Sequence, residues 1–153
     1  MIPFPKDFKD FLKLLEKHRV RYLVVGGYAL ALHGYVRVTG DMDIFIEVSR
    51  DNADRIFKTF NDFGFRDPVL RELFRTPGKM VRIGRPPLRI EILTEISGVT
   101  FEDAYPEAEF LVDGNDRVAY IGYEKLIQNK RSTSRPKDKS DADALEKGKG
   151  QDI

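Results

Sequence analysis

Two aspartates stand one residue apart at the start of an apolar segment, DMDIFI, and two adjacent glycines precede them in VVGGYA. In a strand, residues i and i+2 point to the same face, so Asp41 and Asp43 should project side by side. Two carboxylates that close repel each other, and oxygen ligands of this kind suit Mg²⁺. Gly26 and Gly27 follow an apolar run and precede a helix-like segment, where backbone N–H groups can approach phosphate oxygens. We therefore predict a phosphate-binding turn followed by a pair of metal ligands.

Each half of this pattern has an ordinary structural explanation when it stands alone. A tight turn between a strand and a helix needs glycine in any case. Asp41 could cap a turn after Gly40 while Asp43 faces solvent. The order of the glycine pair and the aspartate pair, with residues 28–40 between them, favours the functional interpretation.

A third acidic residue lies inside the apolar segment LRIEILTEI. Glu91 is flanked by Ile90 and Ile92, so in a strand its side chain lies on the face opposite to these isoleucines. A lone acid in such a run is unusual unless its face meets polar groups. The alternative is a simply exposed face, with Arg89 as a neighbour and Glu95 as a similar surface acid. The residues alone leave both interpretations open.

The elements that must position these residues alternate between helices and strands. Apolar residues at helical spacing predict amphipathic helices over residues 5–18 and from Ser49, as N-cap, to Gly64. RYLVVGG and MDIFIEV are predicted strands, and DPVLRELFRT is compatible with helix or strand. KMVRIGRPPLRIEILTEI and EFLVDGNDRVAYIGY are predicted strand pairs that turn at GRPP and DGND. We expect an α/β (α+β) fold with a mixed, partly antiparallel sheet flanked by helices.

The length and composition indicate one soluble domain. The chain has 153 residues and a formal net charge of +1, and we expect a single domain over residues 1–147 with a loose tail over 148–153. It has no cysteine, which excludes disulfides and thiolate metal sites. The first twenty residues mix lysine and aspartate with apolar residues, unlike a signal peptide, and no run reaches the roughly 18 apolar residues of a membrane span. We expect a cytoplasmic protein that does not bind membranes.

The motifs resemble those of a known superfamily. A hydrophobic residue, Gly-Gly, a gap of about a dozen residues and then Asp-hydrophobic-Asp-hydrophobic is similar to the signature of the DNA polymerase β-like nucleotidyltransferases. VGG and DMDI match it in order and spacing. Within that superfamily the chain resembles small bacterial nucleotidyltransferase-like proteins related to abortive-infection and MenA-type toxins of toxin–antitoxin systems. RVTGDMDIFI, RIEILTEISGVTFEDAY and LIQNKRSTSRPKDKSDADAL carry this resemblance, which spans roughly residues 5–146.

The resemblance implies a minimal nucleotidyltransferase fold and a role for each motif residue. Gly26 and Gly27 would hold the phosphates of an NTP. Asp41 and Asp43 would bind metal, with Glu91 joining them as the third carboxylate and helping to activate the attacking hydroxyl. Two Mg²⁺ or Mn²⁺ ions are expected. Many members carry Asp where this chain has Glu91, so the ligand here is longer.

Basic residues are the remaining candidates for nucleotide contacts. Arg37 and Thr39 stand just before the aspartates, as Arg and Thr often do in the related toxins, and Arg37 could bind a triphosphate with two nitrogens. Lys130 and Arg135 belong to the basic run QNKRSTSRPKDKS, where most charges should only be solvated. Lys130 ends a predicted helix and could reach the phosphates. Tyr28, just after the glycines, is a candidate for contacting a base.

Two classes of function remain open from the sequence. The first is a metal-dependent enzyme that transfers an NMP from an NTP to a hydroxyl group of a tRNA 3′ end, a protein or a small molecule. The second is a non-catalytic module that binds nucleotides or a partner on the same fold. A cognate antitoxin or another partner protein is expected if the toxin–antitoxin resemblance holds.

Overall fold

The computed structural model describes residues 4–36 and 40–151, and side chains through residue 148. Helices and strands alternate along these residues. The helices are α1 (Lys6–Lys17), α2 (Gly26–Leu32), α3 (Arg50–Asp62), α4 (Val69–Phe74), α5 (Phe101–Ala104), α6 (Tyr123–Arg131) and α7 (Pro136–Gln151). The strands are β1 (Tyr22–Val25), β2 (Asp41–Ile46), β3 (Met80–Arg85), β4 (Leu88–Leu93), β5 (Glu109–Asp113) and β6 (Asp116–Tyr120).

The strands form one mixed sheet in the order β3-β4-β2-β1-β6-β5. Sequence neighbours β1–β2, β3–β4 and β5–β6 pair antiparallel, whereas β2–β4 and β1–β6 pair parallel. Helices pack on this sheet, so the expected fold class is confirmed. Both predicted strand pairs are also confirmed, because the turns fall between β3 and β4 and between β5 and β6.

The two central strands have one apolar face and one polar face. On β2, Met42 and Ile44 are fully buried, while the aspartates on either side of Met42 are only partly buried. On β4, Ile90 and Ile92 lie in the core and Glu91 points the other way. Period-2 alternation therefore placed the three acids on the non-core side, as the sequence predicted.

The helices bury the apolar stripes that their sequences contain. In α1 these are Phe8, Phe11, Leu12 and Leu15. Helix α3 begins after Ser49, whose hydroxyl accepts a hydrogen bond from the backbone N–H of Asn52 at 3.1 Å, which confirms the predicted N-cap. The ambiguous segment DPVLRELFRT forms helix α4, and its Phe74 is fully buried.

The last two helices pack against each other at the carboxyl-terminal end of the chain. Ala142 and Leu145 of α7 are buried in the core. Helix α7 continues past residue 147 to Gln151, and the division into a domain and a tail stays a prediction. Over residues 4–36 and 40–151, the helices are too short or too polar to cross a membrane.

Candidate active site

The register between parallel strands β2 and β4 brings two of the predicted acids together. Asp43 lies opposite Glu91, and Asp41 lies opposite Arg89. On the far side of β4, antiparallel strand β3 places Arg82 opposite Glu91. Acidic and basic side chains are therefore neighbours across three strands on the face of the sheet that does not carry the isoleucines.

Asp43 has a strongly raised pKa. Burial raises its pKa to about 7, and the charge of Glu91, a hydrogen bond with Glu91 and the charge of Asp41 act in the same direction. Lys130 acts in the opposite direction but does not cancel these effects. Oδ1 of Asp43 is buried and has no hydrogen-bond partner among the described residues. This oxygen is a lone acceptor at the base of the site.

Two arginines engage the outer acids. Arg89 donates from Nε to Oδ1 of Asp41 at 3.2 Å and from Nη2 to Oδ2 at 3.0 Å. These contacts raise the pKa of Arg89 above its ordinary value. Arg82 donates from Nε to Oε1 of Glu91 at 2.8 Å. Sequence reasoning treated Arg89 only as a neighbour of Glu91, because its contact with Asp41 depends on the pairing of β2 with β4.

The predicted glycine turn lies directly beside Asp43. Gly26 follows β1 and begins helix α2, and its φ of +68° is a conformation that residues with a side chain rarely adopt. A Cβ atom at this position would collide with Oδ2 of Asp43. Gly27 stands in the first turn of α2. The location of both glycines at a strand–helix junction is confirmed, and their contact with phosphate stays a prediction.

An open cleft of about 200 Å³ lies next to Gly26 and Asp43. Its other walls come from the segment after β4 and from the junction of α6 with α7. That junction contributes Lys130, Thr133 and Arg135 to the cleft. Small-molecule sites usually enclose roughly 300–1,000 Å³, so this cleft suits part of a nucleotide, such as its phosphates.

Lys130 is held at the cleft by two buried carboxylates. It is 7% exposed, and its Nζ lies 3.2 Å from Oδ1 of Asp138 and 3.4 Å from Oδ2 of Asp141. Asp138 also accepts hydrogen bonds from the Thr133 hydroxyl and from Nε of Arg135, each at 2.8 Å. Burial alone would raise the pKa of Asp138, but the Thr133 hydrogen bond and the Lys130 charge lower it below its ordinary value.

The structure brings some of the predicted site residues together and gives no view of others. Gly26, Asp43, Lys130 and Arg135 line one cleft, and Asp41 and Glu91 are neighbours of Asp43 in the sheet. Residues 37–39 lie outside the described residues, so the predictions for Arg37 and Thr39 are not addressed.

The prediction for Tyr28 is wrong. Its side chain is 7% exposed and belongs to the core. The ring stacks on Phe4 with 5.2 Å between centroids and meets Phe8 edge-on at 5.7 Å. A tyrosine packed in this way cannot offer its face to a base.

The carboxylates of Asp41, Asp43 and Glu91 are suitable ligands for a divalent cation, but their present contacts do not form a metal site. Carboxylate oxygens are the ligands that Mg²⁺ prefers. The buried Oδ1 of Asp43, which has no partner within residues 4–36 and 40–148, is the group that a cation would satisfy. Over residues 4–36 and 40–148, however, no three acidic or histidine side chains converge as a ready metal site. Arg89 holds Asp41, and Arg82 holds Glu91. The metal ligands therefore stay a prediction.

Comparison with known proteins bears on the fold. No family model and no curated protein matches the chain. A crystal structure from Thermotoga maritima, of a protein provisionally described as a nucleotidyltransferase, is similar with a TM-score of 0.57 and 15% sequence identity. The similarity covers 94% of this chain and 91% of the Thermotoga chain. The two proteins share a fold.

This similarity supports the fold that the glycine and aspartate motifs led us to expect. At such low identity a shared fold does not transfer an activity, since one fold hosts many functions. Membership of the toxin-related group stays a prediction. The functional conclusion must therefore come from the site itself.

Proposed function

We propose that the protein is a nucleotidyltransferase that moves an NMP from an NTP to a hydroxyl group. One observation carries this proposal: Asp43, paired in the sheet with Glu91, lies beside Gly26 at a cleft that Lys130 also lines. Acids and cations around one cleft are what a metal-bound triphosphate requires. The shared fold with the Thermotoga protein supports the same class.

The reaction forms one bond and breaks one. The acceptor oxygen attacks the α-phosphorus, the bond from that phosphorus to the bridging oxygen breaks, and pyrophosphate leaves. Such chemistry depends mainly on positioning and charge neutralisation. Mg²⁺ or Mn²⁺, as two ions held by Asp41, Asp43 and Glu91, would neutralise the phosphate oxygens and align the reacting groups.

The chain's own residues have separate tasks in this scheme. Gly26 leaves room for the carboxylate of Asp43, because a Cβ atom there would collide with Oδ2, and its backbone would approach the phosphates at the strand–helix junction. Lys130 and Arg135 would bind the leaving pyrophosphate, Lys130 from a fixed, buried position and Arg135 from an exposed one. Glu91 would accept the proton of the attacking hydroxyl. Gly27 would offer a backbone N–H, and Arg37 and Thr39 stay candidates for phosphate contacts.

The test is to incubate the protein with each labelled NTP and Mg²⁺ or Mn²⁺, and to measure pyrophosphate release and label transfer. Acceptors should include tRNA, the protein itself and small hydroxyl compounds. Asp43→Asn keeps the size of the side chain but removes its charge, so we expect at least about a hundredfold loss of transfer, in line with losing a group that acts on the transition state.

Asp113→Asn is the matched control, because Asp113 is an exposed aspartate at the β5–β6 turn. It should transfer label at the wild-type rate. Equal activity in the Asp43→Asn and wild-type proteins would exclude this site as the catalytic centre.

A second candidate function is a non-catalytic module that binds a nucleotide or a protein partner. The observation in its favour is that arginines already occupy Asp41 and Glu91. Metal-dependent NTP binding measured by calorimetry, without turnover on any acceptor, would select this function. For either function we also propose a cognate antitoxin as partner, a bacterial source and a cytoplasmic location.

A further inference from the structure

The acid cluster, defined as Asp41, Asp43 and Glu91, is partly neutralised from within the sheet. Arg89 contacts both oxygens of Asp41, at 3.2 and 3.0 Å. The pair is partly shielded, since the side chains of Arg89 and Asp41 are 29% and 34% exposed. An arginine that binds a carboxylate with two nitrogens is among the stronger and more specific ion pairs in proteins.

This contact uses the atoms that a metal ion would need. Both carboxylate oxygens of Asp41 face guanidinium N–H groups, and Arg89 also feels the charges of Glu91 and Asp43. A divalent cation at Asp41 would lie close to a fixed positive charge, which repels it. The arginine and the cation therefore compete for the same carboxylate.

We propose that Arg89 is an internal counter-ion of the acid cluster and must release Asp41 before a divalent cation can bind there, so that it limits the metal affinity of the site. This inference rests on the proposed function, because it takes Asp41 as a metal ligand. Arg89 acts through Asp41 and is a positioning residue, not a catalytic one.

Arg82 offers a built-in comparison. It touches Glu91 through Nε at 2.8 Å, and its side chain is 53% exposed. This contact uses one nitrogen where Arg89 uses two, so Arg82 should oppose metal binding less than Arg89 does. We expect Arg89→Gln to bind the metal most tightly, Arg82→Gln less tightly, and wild type most weakly.

The experiment is a calorimetric titration of the full chain with Mn²⁺ alone, near pH 7.5 and at low salt. Arg89→Gln should bind Mn²⁺ about threefold to fivefold more tightly than wild type, the range expected when a competing, partly exposed ion pair is removed. Arg117→Gln is the matched control. Arg117 lies on strand β6 and contacts Glu16 of helix α1 at 3.3 Å. Its replacement should change the Mn²⁺ affinity by less than about twofold.

A purely structural role for Arg89 predicts the opposite sign. If Arg89 only held Asp41 in place for the metal, Arg89→Gln would bind Mn²⁺ more weakly. Equal or weaker binding therefore overturns the inference. In an Asp41→Asn background the effect of Arg89→Gln should disappear, and its persistence there would also overturn the inference.

A conservative variant keeps the test decisive if Arg89→Gln does not fold. Arg89→Lys retains the charge but cannot make the two-nitrogen contact. It should therefore bind Mn²⁺ more tightly than wild type and less tightly than Arg89→Gln. Wild-type affinity in Arg89→Lys would then count against the inference.

Failure of the inference and failure of the proposed function give different results. Mn²⁺ binding to wild type that Asp43→Asn abolishes, with no gain in Arg89→Gln, overturns the inference alone. No Mn²⁺ binding by wild type or any variant overturns both the inference and the metal-dependent function.

Discussion

Two clusters of charged side chains contribute to one cleft, one through Asp43 and the other through Lys130 and Asp138, and their carboxylates are compensated in different ways. The acid cluster is neutralised at its edges by arginines. The lysine cluster is built around one buried cation and comprises Lys130, Asp138 and Asp141, with Thr133 and Arg135 bonded to Asp138.

The difference lies in where the positive charge sits. Lys130 contacts both buried aspartates, and the pKa of Asp138 falls below its ordinary value despite its burial. In the acid cluster the arginines contact Asp41 and Glu91, and the pKa of Asp43 rises to about 7. Similar residue types therefore give a charge-compensated cluster in one place and a cation-deficient site in the other.

The largest expected effect comes from removing the central cation of the lysine cluster. Lys130→Met leaves Asp138 and Asp141 buried without it, at 4% and 3% exposure. Breaking a buried ion pair in this way typically costs about 3–5 kcal/mol of unfolding free energy. Urea denaturation at neutral pH measures this loss.

Lys125→Met is the matched control for that change. Lys125 lies 3.6 Å from Glu107, whose side chain is half exposed, so its removal should cost less than about 1 kcal/mol. If Lys130→Met cost no more than Lys125→Met, the lysine cluster would not be charge-compensated as described.

In the acid cluster we expect a smaller change in the free energy of unfolding, and this change should be an increase. The pKa of Asp43 rises from 3.8 to about 7, so the native state keeps a proton that the unfolded chain releases. Stability from this group is present near pH 4 and is lost as the pH rises through about 7. Without divalent cations, Asp43→Asn should therefore be more stable than wild type at about pH 8, by on the order of 2 kcal/mol.

Urea denaturation in EDTA across about pH 4 to 8 checks this prediction, since the advantage of Asp43→Asn should shrink toward zero at the acidic end. Asp113→Asn, at an exposed turn, should show no such trend. An Asp43→Asn protein that is less stable than wild type at about pH 8 would contradict the burial and charge repulsion that raise the pKa of Asp43.

The smallest effect concerns one hydrogen bond of the lysine cluster. Thr133→Val removes the hydroxyl that donates to Asp138 at 2.8 Å, and Lys130 still neutralises the carboxylate. We expect a loss of about 1 kcal/mol in urea denaturation. Thr133→Ser keeps the hydroxyl and should remain close to wild type, whereas equal losses in both variants would point to packing instead.

Several features of the site were predictable from short stretches of sequence. Period-2 alternation around Met42 placed Asp41 and Asp43 on one face, and the isoleucines beside Glu91 placed it on the face away from the core. Ser49 was recognisable as an N-cap because its role depends only on the residues that follow it.

Other features could not be predicted, because they depend on distant segments. The segment DPVLRELFRT was compatible with helix or strand. In the folded protein it forms helix α4, which buries Phe74. Tyr28 stands beside the glycines, but helix α2 directs it into the core against Phe4. The contact between Arg89 and Asp41 required knowledge that β2 and β4 pair parallel, which neither strand reveals.

The sequence by itself determined which side chains of a strand share a face and where several of the strands, turns and helices begin, because these properties follow from local periodicity and backbone preference. Only the tertiary structure decided which charges meet. Electrostatic energy depends on separation and burial, and strand register and helix packing set both of these for residues far apart in the chain. Asp43 thus came to lie against Glu91 with one oxygen that has no hydrogen-bond partner among the described residues, while Lys130 came to lie between two aspartates.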